Sequence, residues 1–254
     1  MPNLPQAAIS PIPTMRERVR SLRRSVRARL HAGLGVRAEK PVAPHLFHSI
    51  LATYGFADTL ATGKAIDARG DEIPWITYPA LEYINSLDLG GLDVFEWGSG
   101  HSSTFFSARA RTVVSVESNP EWYDYGRRNL AANQRLLLRE GAAYAAAIRE
   151  VDGDFGFIVI DGILRSECAR EAVGRLAPGG VILLDNADWW TKTAAFLRSQ
   201  GLVQIDFHGF GPINQYSWTT ALLVDPANSV LATCRKPEAA YSMAAIRQTA
   251  SGDF

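Results

Sequence analysis

The chain is poor in cysteine. Two in 254 residues, Cys168 and Cys234, make neither a disulfide framework nor a zinc site, and they fit a reducing compartment. No apolar run is long enough to span a bilayer, which excludes a transmembrane protein. Histidine is sparse too. His45 and His48 lie one helical turn apart, but no acid or cysteine completes a metal set beside them, so they read as ordinary residues of a capping helix. There is no internal repeat and no motif for covalent catalysis. Neither charge is in surplus, since 26 Lys and Arg balance 26 Asp and Glu. That balance argues against a nucleic-acid-binding protein.

The neutrality conceals an asymmetry. Residues 1–40 carry nine basic side chains against Glu17 and Glu39, and the remainder is correspondingly acidic. The arm opens with Pro2, Pro5, Pro11 and Pro13, which keep it extended. From Met15, an alternative start, to Leu34, a narrow stripe of Val19, Leu22, Val26 and Leu30 predicts a helix ringed by arginines. Four readings of residues 15–34 stand open: peripheral contact with an anionic membrane, a nucleic-acid arm, a helix docked on a protein body, and a transit peptide. The expected organisation is this arm over 1–40, a helical cap over 41–73, one core over 74–226 and a tail over 227–254. A cytoplasmic location is expected, with membrane contact confined to the arm.

At 47% hydrophobic composition, the chain supports one α/β core. Apolar runs ending in acids predict buried parallel strands at Asp93–Glu96, Thr112–Glu117, Phe157–Asp161 and Val181–Asp185, and Leu136–Leu138 reads as one more. Helices are predicted between them: Ser103–Ala110, a helix capped by Asn119 and running to about Asn133, Ala142–Arg149, and Thr191–Gln200. A further helix is capped by Thr77 and passes through Leu81, Ile84 and Leu87. Pro178-Gly179-Gly180 reads as the turn feeding the fifth strand. Leu202–Phe207 and Trp218–Val224 read as a closing hairpin. Alternation of this kind implies a doubly wound, mostly parallel sheet covered on both faces.

In such sheets ligands bind at the carboxyl ends of the strands. Those ends hold Glu96 with Gly98, Ser99, Gly100, His101 and Ser102, then Glu117, Ala142, Asp161, and Asp185 with Asn186. Gly98 and Gly100 allow close backbone approach to a ligand. Glu117, nineteen positions after Gly98, can accept two hydrogen bonds from a ribose diol. A dinucleotide fingerprint would want a third glycine where Ser103 stands.

The run Glu96-Trp97-Gly98-Ser99-Gly100, with Glu117-Ser118-Asn119-Pro120-Glu121 after the second strand, resembles class I S-adenosylmethionine-dependent methyltransferases of a small bacterial type. The resemblance covers Trp75 to Val224. It implies a Rossmann-like, seven-stranded sheet with an antiparallel last strand, and S-adenosyl-L-methionine as cofactor. The glycine loop would wrap the methionine part, and Glu117 would hold the ribose. Ala142 stands where many members carry an acid for the adenine amino group. Asp161, Asp185 and Asn186 resemble the metal ligands of catechol-type O-methyltransferases, which implies either Mg2+ there or Asp161 itself as the base. His101 is a second candidate base. Arg165, Trp189 and Tyr78 are candidate acceptor contacts, with Trp75, His208 and Tyr216 as further lining. Of the adjacent Trp189 and Trp190, one is expected in the core and one on the acceptor. The function so implied is methylation of a small-molecule or saccharide hydroxyl. The alternatives are an NAD-binding or other nucleotide-binding Rossmann enzyme, and a catalytically silent cofactor-fold module docked on a membrane or partner.

Overall fold

The computed structural model describes residues 49–227, 230 and 231, all within the compact unit Phe47–Phe254. The basic arm, Met15, His45, His48, Cys234 and most of the expected tail lie outside the described residues.

Apolar runs become strands because both of their faces can be buried. β4 (Phe155–Ile160) and β7 (Trp218–Val224) are buried at every residue. With β1 (Asp93–Trp97), β2 (Thr112–Glu117), β3 (Gln134–Leu138), β5 (Leu176–Leu184) and β6 (Val203–Gly209) they form one sheet in the order β3-β2-β1-β4-β5-β7-β6. The first five strands pair in parallel, and β7 runs antiparallel between β5 and β6. This is the sheet that the resemblance implied. Its switch point lies between β1 and β4, where the winding direction reverses.

Period-two alternation divides the core. Phe95, Trp97, Val114, Val116, Ile158 and Ile160 face α5 (Ala142–Ala146), α6 (Arg165–Val173) and α7 (Thr191–Ser199). Val94, Val113, Phe157, Val159 and Leu222 face α2 (Tyr78–Asn85) and α3 (His101–Ser107). Phe105 and Phe106 are buried there, as expected. α1 (Phe56–Thr62) and a wide turn at Ser49–Thr53 are what the described residues show of the expected cap. No helix among the described residues is long and apolar enough to cross a membrane.

Several expected boundaries shift. α3 begins at His101, not Ser103, so the glycine loop opens directly into it. α4 (Pro120–Gly126) is capped by Asn119, whose Oδ1 accepts from the Glu121 and Trp122 N–H groups. It stops far short of Asn133, because a turn closed by Gln134 N–H donating to Ala131 O brings the chain into β3. Pro178-Gly179-Gly180 lies inside β5, where the pairing with β4 slips between Phe155 and Phe157. Thr77 stands at the N-cap of α2 as expected, but its Oγ gives no cap bond and donates instead to Phe207 O.

Candidate active site

β1 sends Trp97 and Glu96 to opposite faces. Trp97 Nε1 donates to Tyr144 O at 2.9 Å, tying the tip of β1 to α5. Glu96 turns toward α3, beside Ser115, its register partner on β2. Ser103 Oγ and Ser115 Oγ both donate to Glu96 Oε2, at 2.5 and 2.7 Å. Ser103 Oγ also accepts from the Gly100 N–H at 3.1 Å. Glu96 therefore holds the glycine loop through a hydroxyl relay and lies beneath the loop, fully buried. Burial pushes its pKa above the usual carboxylate range, against the pull of the Ser102, Ser103 and Ser115 hydroxyls. Ser103, which the sequence offered only as a missing glycine, is part of the support. The signal that could have found the relay was Ser115, which falls on Glu96's face when β1 and β2 are set in parallel register.

Gly98 meets two demands at once. Its φ is +96°, and a Cβ there would stand 2.9 Å from the Gly162 N atom. The glycine loop thus rests on the turn after β4. A Cβ on Gly162 would in turn overlap the Tyr144 hydroxyl. Glu117 ends β2 with Oε1 accepting from the Ser118 and Asn119 N–H groups at 2.7 and 2.8 Å. Its Oε2 accepts from Ser99 Oγ at 3.0 Å. Main-chain bonds fix the carboxylate, while the Ser99 hydroxyl is a partner that a ligand diol could replace. Ala142 opens α5 in an exposed position with no polar group to offer.

The glycine loop and Glu117 fit a nucleoside cofactor. Gly98 lets the loop pack directly on the Gly162 backbone, and Glu117, fixed through Oε1 by main-chain donors, leaves Oε2 to a hydroxyl, here that of Ser99. Buried acids suit a cationic group. Asp185 and Glu96 both lie close enough to act on Asp161, and Arg165 is the basic group beside Asp161 and Asp185.

Arg165, the first residue of α6, lines the cavity but spends its N–H groups on protein acceptors. Its Nε donates to Gly162 O at 2.9 Å, and Nη1 donates to Asp185 O and Asn186 Oδ1 at 2.5 and 3.0 Å. Nη2 donates to Asp161 O at 2.8 Å and Asp161 Oδ1 at 3.0 Å. All five N–H groups are engaged. The side chain clamps the turns after β4 and β5 together, where the sequence offered it as an acceptor contact. Glu171 pairs with Arg149.

The same clamp bears on the metal. Asp185 Oδ1 faces inward and accepts from Trp218 Nε1 at 3.0 Å and Thr220 Oγ at 2.5 Å. Asn186 Oδ1 is held by Arg165, so a guanidinium stands among the three expected ligands. Among the described residues no group of three or more His, Cys, Asp or Glu is placed to hold a metal ion. The residues present do not fit Mg2+.

Asp161, Arg165, Asp185 and Asn186 floor a cavity of about 370 Å³, walled by Trp75, Trp189, Tyr216 and Trp218. Asp161 keeps about a quarter of its side chain exposed, while Asp185 is buried. Burial and the neighbouring Asp185 drive the Asp161 pKa well above the usual carboxylate range, against Arg165. Burial likewise pushes Asp185 up to about 6, against its bonds from Thr220 and Trp218. Asn186 holds a left-handed conformation, φ +52°, at this corner.

Of the tryptophan pair, Trp190 packs on the core and Trp189 is 61% exposed at the cavity wall. His101 lies elsewhere. Its Nδ1 is 3.0 Å from Glu72 Oε1, and it lines a groove with Ser99, Trp122 and Tyr125 rather than the cavity that holds Asp161. Tyr78 is buried and stacked on Tyr54, with ring centroids 4.3 Å apart, and does not line the cavity. His208 Nδ1 pairs with Thr219 Oγ at 2.9 Å. Asn214, on the loop between β6 and β7, joins the wall with no sequence signal to announce it.

No protein-family model and no curated protein sequence matches the chain. Among solved structures, a precorrin-6y C5,15-methyltransferase from Geobacter metallireducens is similar at 20% identity over 57% of this chain and 85% of that one, with a TM-score of 0.46. A methyltransferase from Pyrococcus furiosus is similar at 20% identity over 71% of this chain and 98% of that one, TM-score 0.45. A spermidine synthase from Thermotoga maritima is similar at 16% identity over 65% and 61% of the two chains, TM-score 0.46. Likenesses this loose leave the chemistry to be read from the site's own groups.

Proposed function

We propose that the chain is an S-adenosylmethionine-dependent methyltransferase acting on a hydroxyl of a small-molecule or saccharide acceptor. The observation that carries the reading is the juncture at the switch point. Glu117 and the glycine loop form a nucleoside-binding edge, and the loop rests on the turn that begins with Asp161, at the floor of a separate cavity. When bound, the cofactor supplies a methyl group already activated on a sulfonium. Glu117 would hold the ribose diol in place of the Ser99 hydroxyl. Backbone N–H groups at the start of α3 meet the methionine carboxylate. Arg165 fixes Asp161 through Oδ1 and leaves Oδ2 for the acceptor's proton. The raised proton affinity of Asp161 makes it a better general base than an ordinary carboxylate. Alignment of donor and acceptor supplies the rest, an effect worth up to about 7–11 kcal/mol.

Calorimetric titration with S-adenosylhomocysteine beside NADH tests this reading. The former is expected to bind at micromolar concentration and the latter not at all. Glu117→Ala should weaken binding by roughly ten- to a hundredfold. Asp161→Asn should cut turnover by about 10²–10⁴-fold with that affinity little changed. NADH binding would favour the oxidoreductase. Binding of the homocysteine compound with no turnover on any acceptor would favour the silent module, which the bare Ala142 position also suits.

A further inference from the structure

We propose that the cavity at the tips of β4 and β5 is a carbohydrate subsite, in which Trp189 and Tyr216 form a shelf for the apolar face of an uncharged sugar ring. The inference deepens the methyl-transfer reading by naming the acceptor class, but the shelf is a binding site in its own right.

Three observations carry it. First, Trp75, Trp189 and Tyr216 are 44%, 61% and 48% exposed around one cavity of about 370 Å³. Single exposed rings are ordinary, but several converging on a cavity of small-ligand size form a recognition surface. Second, the rings have the shape of a shelf. Trp189 and Tyr216 lie with centroids 6.1 Å apart and planes inclined by 30°, while Tyr216 meets Trp218 edge-on at 6.0 Å. Trp218 is buried and donates to Asp185, so the platform is anchored to the floor. The modest 30° tilt between Trp189 and Tyr216 leaves their two exposed faces open to one flat ring, and Trp218, the steeply set neighbour, is buried rather than closing a cage around a quaternary cation. A pyranose offers a matching C–H face and a rim of hydroxyls.

Third, the polar edge discriminates by charge. Every N–H of Arg165 is engaged, so this arginine offers nothing to a phosphate or carboxylate on the acceptor. The remaining edge is Asp161 with the amides of Asn186 and Asn214, a set of donors and acceptors suited to several hydroxyls on one molecule. A phenol would use the shelf and leave most of that edge unpaired.

The test is saturation-transfer NMR and tryptophan fluorescence with methyl glycosides of glucose, galactose, mannose and xylose, in the presence of S-adenosylhomocysteine. Saturable millimolar binding of at least one glycoside is expected, with transfer strongest to the ring C–H protons. Trp189→Ala should raise its dissociation constant at least tenfold while leaving the circular dichroism and the homocysteine-compound affinity unchanged. Tyr216→Ala should act in the same direction. The proposal is overturned if no neutral glycoside saturates, if phenols or quaternary ammonium ions bind in a Trp189-dependent way instead, or if glycoside binding is indifferent to both substitutions. Glycoside binding is read without turnover. Failure of the cofactor titration would sink the methyl-transfer reading alone, and cofactor binding with no glycoside binding would sink the shelf alone.

Discussion

Replacing Asp185 with asparagine is expected to make the protein more stable, and increasingly so as the pH rises. In the folded chain this carboxyl is buried, accepts from Trp218 Nε1 and Thr220 Oγ, and titrates near 6 rather than its ordinary 3.8. An acid held up in this way favours the folded state fully below 3.8, and the contribution is lost as the pH passes through about 6. At about 1.4 kcal/mol per pH unit, the displacement corresponds to roughly 3 kcal/mol. The substituted side-chain amide would keep an oxygen for both donors and carry no charge to bury. It would also remove one cause of the raised Asp161 pKa, which reinforces the direction. For a domain of this size the gain is about 6–12 °C in Tm, developed between about pH 4 and pH 6 and level from there to pH 8. Thermal unfolding of both proteins across that range measures it, and taking the difference between them cancels every group that they share. A Tm difference that is flat with pH, or that shrinks as pH rises, would refute the reasoning.

Two further outcomes follow from the packing of the turns. Gly98→Ala adds left-handed strain and puts a Cβ 2.9 Å from the Gly162 backbone, so it should destabilise by about 2 kcal/mol or more. Gly63→Ala, at φ +66° with open space around it, should cost only about 1 kcal/mol, and urea denaturation compares the two. Methyl transfer should survive a chelator, since a guanidinium stands where the metal ligands were expected; loss of activity restored by magnesium would overturn that assignment. Arg165→Ala, by contrast, should destabilise by about 3–5 kcal/mol in the same denaturation assay.

Much of the sheet could be read from residue patterns because burial on both faces demands continuous apolar runs. Thr112–Glu117 and Trp218–Val224 lie where the sequence placed them. The strand-tip acids were legible for the same reason, each being the first polar residue after such a run. What lay beyond the sequence were partners chosen by the fold. Nothing local to Arg165 announces that residues 185 and 186, in the turn past β5, will accept its hydrogen bonds. The length of β5 was hidden because Pro178-Gly179-Gly180 has turn chemistry, yet a pairing irregularity absorbs it within the strand. α4 was overestimated because its helical composition continues past Gly126, whereas the entry to β3 is set by the turn at residues 131–134.

The contact of Gly98 with Gly162 links two events that would otherwise be separate. One glycine belongs to the loop proposed to meet the methyl donor; the other sits between Asp161 and the Arg165 clamp, at the floor of the proposed acceptor cavity. With no side chain between the two backbones, a displacement on one side is felt on the other. Donor and acceptor affinities should then be reciprocally coupled, each ligand altering the other's dissociation constant by the same factor. Such coupling would be carried by the main chain itself, through two backbones in direct contact.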